Sequence, residues 1–164
     1  MGDEAVAPVT VSRRIKAPAA DVFRQLCDPA THPAIDGSGM LREGGSTEIV
    51  SAVGDVFAMK MEHPNMGEYV MDNYVTVFEP DRRIGWNPVN EGTELGTPDG
   101  SHNGSKWTFE LSPDGPGATI VTEMYDCSGS PDSVRSAVEN GTAWIGAMTD
   151  TLQKLDELCT QVDS

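Results

Sequence analysis

The sequence predicts an α+β fold, with a curved antiparallel sheet of seven strands wrapped around one long C-terminal helix. Two short helices follow the first strand, and an internal cavity is expected between sheet and helix. Three observations predict this. Residues 9–15 and most of 40–125 alternate apolar and polar side chains with period two, as half-buried strands do. Short turns rich in Gly, Pro and Asp join these runs, which makes successive strands antiparallel neighbours. A single apolar stripe at helical spacing then runs from Val134 to Cys159. One such helix must bury its stripe against the sheet. A sheet of this width exceeds what one helix covers, so the space left over is either a cavity or filled by large inward side chains.

In the first strand Val9, Val11, Arg13 and Ile15 alternate with Thr10, Ser12 and Arg14. Ala17-Pro18 ends it, and Pro18 suits a first helical turn, where its missing N–H costs nothing. Val22, Phe23 and Leu26 give the helix one apolar face. Asp28-Pro29-Ala30-Thr31-His32 reads as a second short helix limited by Pro33, and Asp36-Gly37-Ser38-Gly39 as a turn. Met40-Leu41-Arg42 is a short strand. From Val56 to Glu62, Phe57, Met59 and Met61 share one face. After the turn His63 to Gly67, a long strand runs from Glu68 to Phe78, with Asn73, Val75 and Val77 on one face. Pro80-Asp81 turns it into Arg83-Ile84-Gly85-Trp86.

Asn87 to Ser105 reads as one long loop, of the kind that is usually functional. Trp107, Phe109 and Leu111 then share a strand face, as do Thr119, Val121, Glu123 and Tyr125 of the last strand. Ser130-Pro131-Asp132 starts the long helix, from about Asp132 to Cys159. Val134, Val138, Gly141, Ile145, Met148, Leu152, Leu155 and Cys159 form its stripe, so aspartate at Ile145 or Leu152 is expected to unfold the domain. Gly141 and Gly146 each weaken a helix by about 1 kcal/mol relative to Ala. They mark either a close approach to the helix or a break near Asn140-Gly141.

The chain of 164 residues and 17.5 kDa fits one domain over 1–164, with a core over about 9–159. With Lys+Arg 11 and Asp+Glu 26 the net charge is −15, which repels phosphate backbones and anionic lipid surfaces and argues against nucleic-acid binding. No apolar run approaches the ~18–20 residues of a bilayer span, so stable membrane insertion is not expected. The start Met1-Gly2-Asp3-Glu4 does not read as a secretory signal, and Val6 breaks the myristoylation pattern. Cys27, Cys127 and Cys159 form no CxxC and read as reduced, buried small hydrophobes, which implies the cytoplasm. A monomer or weak homodimer is expected.

Several segments together resemble the START-like helix-grip superfamily (SRPBCC), typified by the birch pollen allergen. Within it the chain looks most like the polyketide cyclase/dehydrase and lipid-transport group. The segments are Ile15-Lys16-Ala17-Pro18 running into Val22-Phe23 and Leu26, Asp28 to Pro33, and Ile35-Asp36-Gly37-Ser38-Gly39. Downstream come Gly54-Asp55-Val56-Phe57-Ala58-Met59, Phe78 to Trp86, and Val121-Thr122-Glu123. These are signatures of fold and not of chemistry. The resemblance implies a helix-grip domain and tips the reading from a filled core to a pocket.

The expected ligand is a small hydrophobic molecule such as a fatty acid, isoprenoid or polyketide. Its walls are expected from Phe57, Met59, Met61, Trp86, Trp107 and Phe109 of the sheet, with Trp144 and Met148 of the helix. Asn73 is the candidate that orients a ligand's carbonyl or hydroxyl, against a plain structural hydrogen bond. Glu123 and Tyr125 are the candidate acid/base pair of a cyclase or dehydratase, since burial raises a carboxyl pKa. Catalysis ranks behind binding, and an interaction module with a filled core ranks third.

His32, His63 and His102 lack metal-ligand spacing and read as surface residues. His32 stands apart because it precedes Ile35 to Gly39, where Asp36 could orient its ring, but turn chemistry and helix capping are the preferred reading. Ser38 and Ser105 lack the GxSxG elbow, and no GxGxxG, GxxxxGK[ST] or DxDxDG motif occurs. No cofactor or metal is expected.

Overall fold

The computed structural model of the protein describes residues 8–28, 31–35, 41–44, 49–63, 67–89, 106–128, 135–136 and 139–160. Period-two alternation becomes strand along the chain: β1 (Val9–Ile15), β2 (Leu41–Gly44), β3 (Val56–His63), β4 (Gly67–Glu79), β5 (Arg83–Val89), β6 (Lys106–Pro113) and β7 (Thr119–Asp126). Six of them carry an open antiparallel sheet, and the four-residue β2 is added at its edge through a bulged pairing with β3. The order across the sheet is β1-β7-β6-β5-β4-β3-β2, so the first strand closes onto the last. The helices with described bounds are α1 (Ala19–Cys27), α2 (His32–Ile35) and α3 (Ile145–Thr160).

The two sheet faces differ as alternation dictates. On the outer face Ser12 Oγ lies 2.7 Å from Thr122 Oγ1, and Arg83 reaches Glu110 at 3.5 Å. On the inner face Ile15, Phe57, Val75, Ile84, Leu111 and Val121 are buried against Val22, Phe23 and Leu26 of α1 and Leu152 and Leu155 of α3. Burying each of these large apolar side chains contributes roughly 1.5–3 kcal/mol.

The C-terminal end of α1 is fastened by two separate segments, 31–32 and the chain at Val50. A helix leaves its last carbonyls without internal partners, and here each of three successive ones acquires a donor from elsewhere. Gln25 O accepts from Thr31 Oγ1 at 2.6 Å, Leu26 O from His32 Nε2 at 2.8 Å, and Cys27 O from Val50 N at 2.8 Å. These bonds fix α2 and the segment leading into β3 against the helix end.

Four features differ from the expectation. The second helix runs from His32 to Ile35 and takes Pro33 into its first turn instead of being stopped by it, because a first-turn N–H has no partner to lose. Strand β5 continues through Asn87, Pro88 and Val89, which pair with Tyr74, Asn73 and Asp72. Pro88 fits because, among the described residues, the pairing of β6 with β5 ends at Trp86. A register shift between Val75 and Val77 turns Val77 away from the face of Asn73 and Val75, and Phe78 takes the inner face opposite Ile84.

The fourth difference is in the C-terminal helix, which is not continuous. Glu139, Asn140 and Gly141 have φ of 53°, 57° and 99°, and a 3-10 turn over Glu139–Trp144 leads into α3. Both readings of Gly141 hold together. The chain breaks there, and a Cβ at Gly141 would lie 3.0 Å from Tyr125 Cδ2 and 3.2 Å from Val9 Cγ2. The break rotates the start of α3, so Met148, Leu152 and Leu155 are buried while Ile145 is 42% exposed. The expectation that Ile145→Asp unfolds the domain is therefore corrected. Val134 and Val138 of the stripe lie outside the described residues, as do Asp36 to Met40 and 90–105.

Candidate functional site

Two groups of aromatic side chains in ring-to-ring contact lie on the inner face of the sheet and the elements that cover it. The first draws on three elements. His32 of α2 stacks on Trp86 of β5 with centroids 5.5 Å apart and planes at 24°, and meets the edge of Phe57 of β3 at 5.2 Å. Phe57 packs edge-on to Trp86 at 5.1 Å, and Trp86 continues to Phe109 of β6 at 5.8 Å. Asn73, directly opposite Phe57 in the register, donates from Nδ2 to the Phe57 carbonyl at 3.4 Å.

The second group gathers where the C-terminal chain breaks. Trp107 of β6 lies 4.5 Å from Tyr125 of β7, and Trp144 meets Trp107 at 5.8 Å and Tyr125 at 6.3 Å. Met148 packs beneath Tyr125 with Cys127. Trp86 and Trp107 are register partners on adjacent strands, which places both groups on one face. Glu123 lies between them on β7, buried, opposite Phe109 on one side and Val11 on the other.

The sequence candidates Phe57, Trp86, Phe109, Asn73, Glu123, Tyr125 and Met148 are thus buried in one layer, with Trp107 and Trp144 partly exposed at its end. Met59 and Met61 pair with Met71 and Tyr69 along β3, and their side chains lie outside those described. His32 overturns the reading of a surface histidine, since it is only 4% exposed. Its helix-capping role holds through Leu26 O. The sequence signal was its spacing of three from Ile35, which puts both residues on one face of a single turn.

Burial dominates the electrostatics here. It pushes the His32 pKa below its usual 6.5, and the Leu26 carbonyl and the charge of Asp28 oppose this less strongly. The ring is therefore neutral near pH 7. Burial, aided by Asp81, pushes the Cys27 thiol up to about 12. Burial with Asp21 and Asp156 pushes Cys159 up to about 11. Cys127 is raised likewise, so these thiols stay protonated and unreactive. Among the described residues no three His, Cys, Asp or Glu side chains converge as metal ligands would. No described helix is long and apolar enough to cross a membrane. An open groove of about 490 Å³ lies elsewhere, lined by Arg14, Lys16, Asp156, Cys159 and Thr160, and does not include the aromatic layer.

A sequence model of the family described as "Polyketide cyclase / dehydrase and lipid transport" matches residues 7–160. The uncharacterized protein Rv0088 of Mycobacterium tuberculosis is 30% identical over 137 residues, which cover 82% of this chain and 52% of that protein. The chain thus spans about half the length of the curated relatives it matches. Protein MLL2253 from Mesorhizobium loti has a similar fold, with TM-score 0.66 and 23% identity over 96% of this chain and 100% of that one. An AHSA1-like protein from Aeromonas hydrophila has TM-score 0.61 and 14% identity, over 96% and 98% of the two chains. At these identities the structural likeness concerns the fold alone.

Proposed function

The chain belongs to the polyketide cyclase/dehydrase and lipid-transport family, and we propose that within it this protein binds and carries a small hydrophobic molecule between sheet and helices. The aromatic layer carries this reading, because His32, Asn73 and Glu123 are buried within it. A buried polar atom is costly unless it is hydrogen-bonded, and His32 Nδ1 meets no partner among the described residues. Small-molecule sites combine apolar and aromatic walls with a few polar groups in this way. The walls would be Phe57, Trp86, Trp107, Phe109, Trp144 and Met148, extended by Met59 and Met61 along β3. The functional unit is one domain, and its protonated cysteines suit a reducing compartment such as the cytoplasm.

Native mass spectrometry of protein purified from its own host tests the proposal. A co-purifying small molecule, or saturable binding of a fluorescent aromatic or fatty-acid probe, supports it. An empty protein that binds neither probe overturns it in favour of a filled core.

A second reading has its own observation: the buried carboxyl of Glu123 stands two residues from Tyr125 on one strand face. In an aldol-type cyclisation such a carboxylate would take a proton from carbon beside a carbonyl, while a phenol would protonate the oxygen that leaves as water. General acid–base groups contribute about 10²–10⁴-fold. Under this reading Glu123→Gln costs at least the lower end of that range in turnover with affinity little changed. Under the binding reading the same variant shifts affinity or Tm instead.

A further inference from the structure

We infer that His32 is the ligand-reading residue of this layer: its Nδ1 accepts a hydrogen bond from a hydroxyl, so the carried molecule is a neutral hydroxylated aromatic or polyketide-like compound and not a carboxylate lipid. The inference rests on the binding function proposed above and narrows its ligand class.

The tautomer follows from chemistry on the page. A backbone carbonyl only accepts, so the 2.8 Å contact to Leu26 O requires the proton on Nε2. A neutral imidazole then has a bare lone pair at Nδ1, which only accepts. The two ring nitrogens point widely apart, so the atom that fastens the ring to the end of α1 cannot also serve Nδ1. Among the described residues Nδ1 meets no hydrogen-bond partner, although it is buried. Such an acceptor destabilises a fold unless something donates to it. Phe57 and Trp86 hold the ring from its edge and its face, and neither presents a donor to it in the described contacts.

Charge selects against an acid at this place. A bare lone pair repels a carboxylate oxygen, and burial opposes the imidazolium that would attract one. Among the described side chains no Lys or Arg is buried, while Glu123 is. A fatty-acid carboxylate would enter a layer that holds a buried acid and, among the described side chains, no buried cation. A phenol, enol or alcohol brings a donor and no charge, and its flat or apolar body suits walls made of Trp and Phe.

The test uses calorimetric titration of the full chain with 2-naphthol, 2-methoxynaphthalene and 2-naphthoate. These share one ring system and differ in carrying a donor, an acceptor and a charge. The naphthol is expected to bind roughly three- to tenfold tighter than the ether, the range one neutral hydrogen bond supplies, and the naphthoate weakest. His32→Gln keeps an N–H able to reach Leu26 O but places no acceptor where Nδ1 stands. It should retain the fold and bind naphthol and ether equally. Nitrogen-15 NMR of the wild type reads the same bond without a mutation, as a shift of the unprotonated Nδ1 resonance on adding naphthol and not on adding ether. Equal binding of naphthol and ether by the wild type, tightest binding of the naphthoate, or a preference that survives in His32→Gln each overturns the inference while leaving the binding function standing. Failure of all three compounds to bind overturns the inference, and overturns the binding function as well only if the protein also purifies empty and binds no fatty-acid probe.

Discussion

The two ends of the aromatic layer are built by opposite means. At one end His32, Phe57 and Trp86 come from a four-residue helix and two strands far apart in sequence, and all three are buried. Hydrogen bonds from His32 and from Val50 to the carbonyls at the end of α1 hold that end in place. At the other end Trp107 and Trp144 are only partly buried, and a local device positions Trp144: the left-handed break at Glu139–Gly141. The first end is over-determined and carries a fixed acceptor. The second depends on one glycine and carries the phenol and two indoles, while the acid Glu123 stands between the two ends. The difference is one of construction: several elements set the His32 end, and one backbone break sets the Trp144 end.

The largest expected effect tests the helix that covers both ends. Leu152, 1% exposed, belongs to the cluster that holds Phe57 and Trp86, so Leu152→Asp buries an unpaired charge and should abolish cooperative folding, a loss above ~4 kcal/mol. Ile145, next to Trp144, faces solvent, and Ile145→Asp should stay within about 0.5 kcal/mol of wild type. Thermal melts followed by circular dichroism check the pair. Equal destabilisation by both would mean that the break at Gly141 does not rotate α3 as described.

The next effect isolates the Trp144 end. At φ 99° an alanine is strained, and its Cβ would press on Tyr125 and Val9. Gly141→Ala should therefore cost about 2 kcal/mol, which lowers Tm by roughly 4–8 °C in a chain of this size. Tryptophan emission should shift as well, because Trp107 and Trp144 both pack at this point. A variant as stable as wild type would show that the break is not held by this contact.

What the sequence made legible divides along the same line. Strand faces were readable because alternation is local: Thr119, Val121 and Tyr125 are buried with Glu123 as their spacing implies. Gly141 was readable because a glycine in a helical stripe is itself a signal. The inner face of β4 was misread past Val75, since nothing in the residue types announces a register shift. Ile145 was misread because the stripe was extrapolated across a break that reset its phase. His32 was placed outside because one turn of helix is too short to show a periodicity. Its burial is decided by Leu26, Phe57 and Trp86, the last two far off in sequence.

The smallest effect concerns the His32 end and is read as a slope against pH. The folded ring has a pKa below 6.5 because it is buried, whereas in the unfolded chain it returns to about 6.5. Below that pH the unfolded chain takes up a proton that the folded ring refuses, so it binds more protons and stability falls as pH falls. Above it both states are neutral at this residue and the contribution vanishes. The loss approaches ~1.4 kcal/mol per pH unit between 6.5 and the folded pKa. Carboxylates such as Asp55, whose pKa is lowered by hydrogen bonds from Ser51 and Ala52, add their own acid dependence at lower pH. Comparison with His32→Gln separates the two, since the variant keeps the carboxylates and lacks the imidazole. Urea titrations from pH 7.5 to 5 should show wild type losing stability faster than the variant below about pH 6.5. Parallel curves would mean that His32 takes up its proton in the folded chain, and that this end of the layer is as open to solvent as the end bearing Trp107 and Trp144.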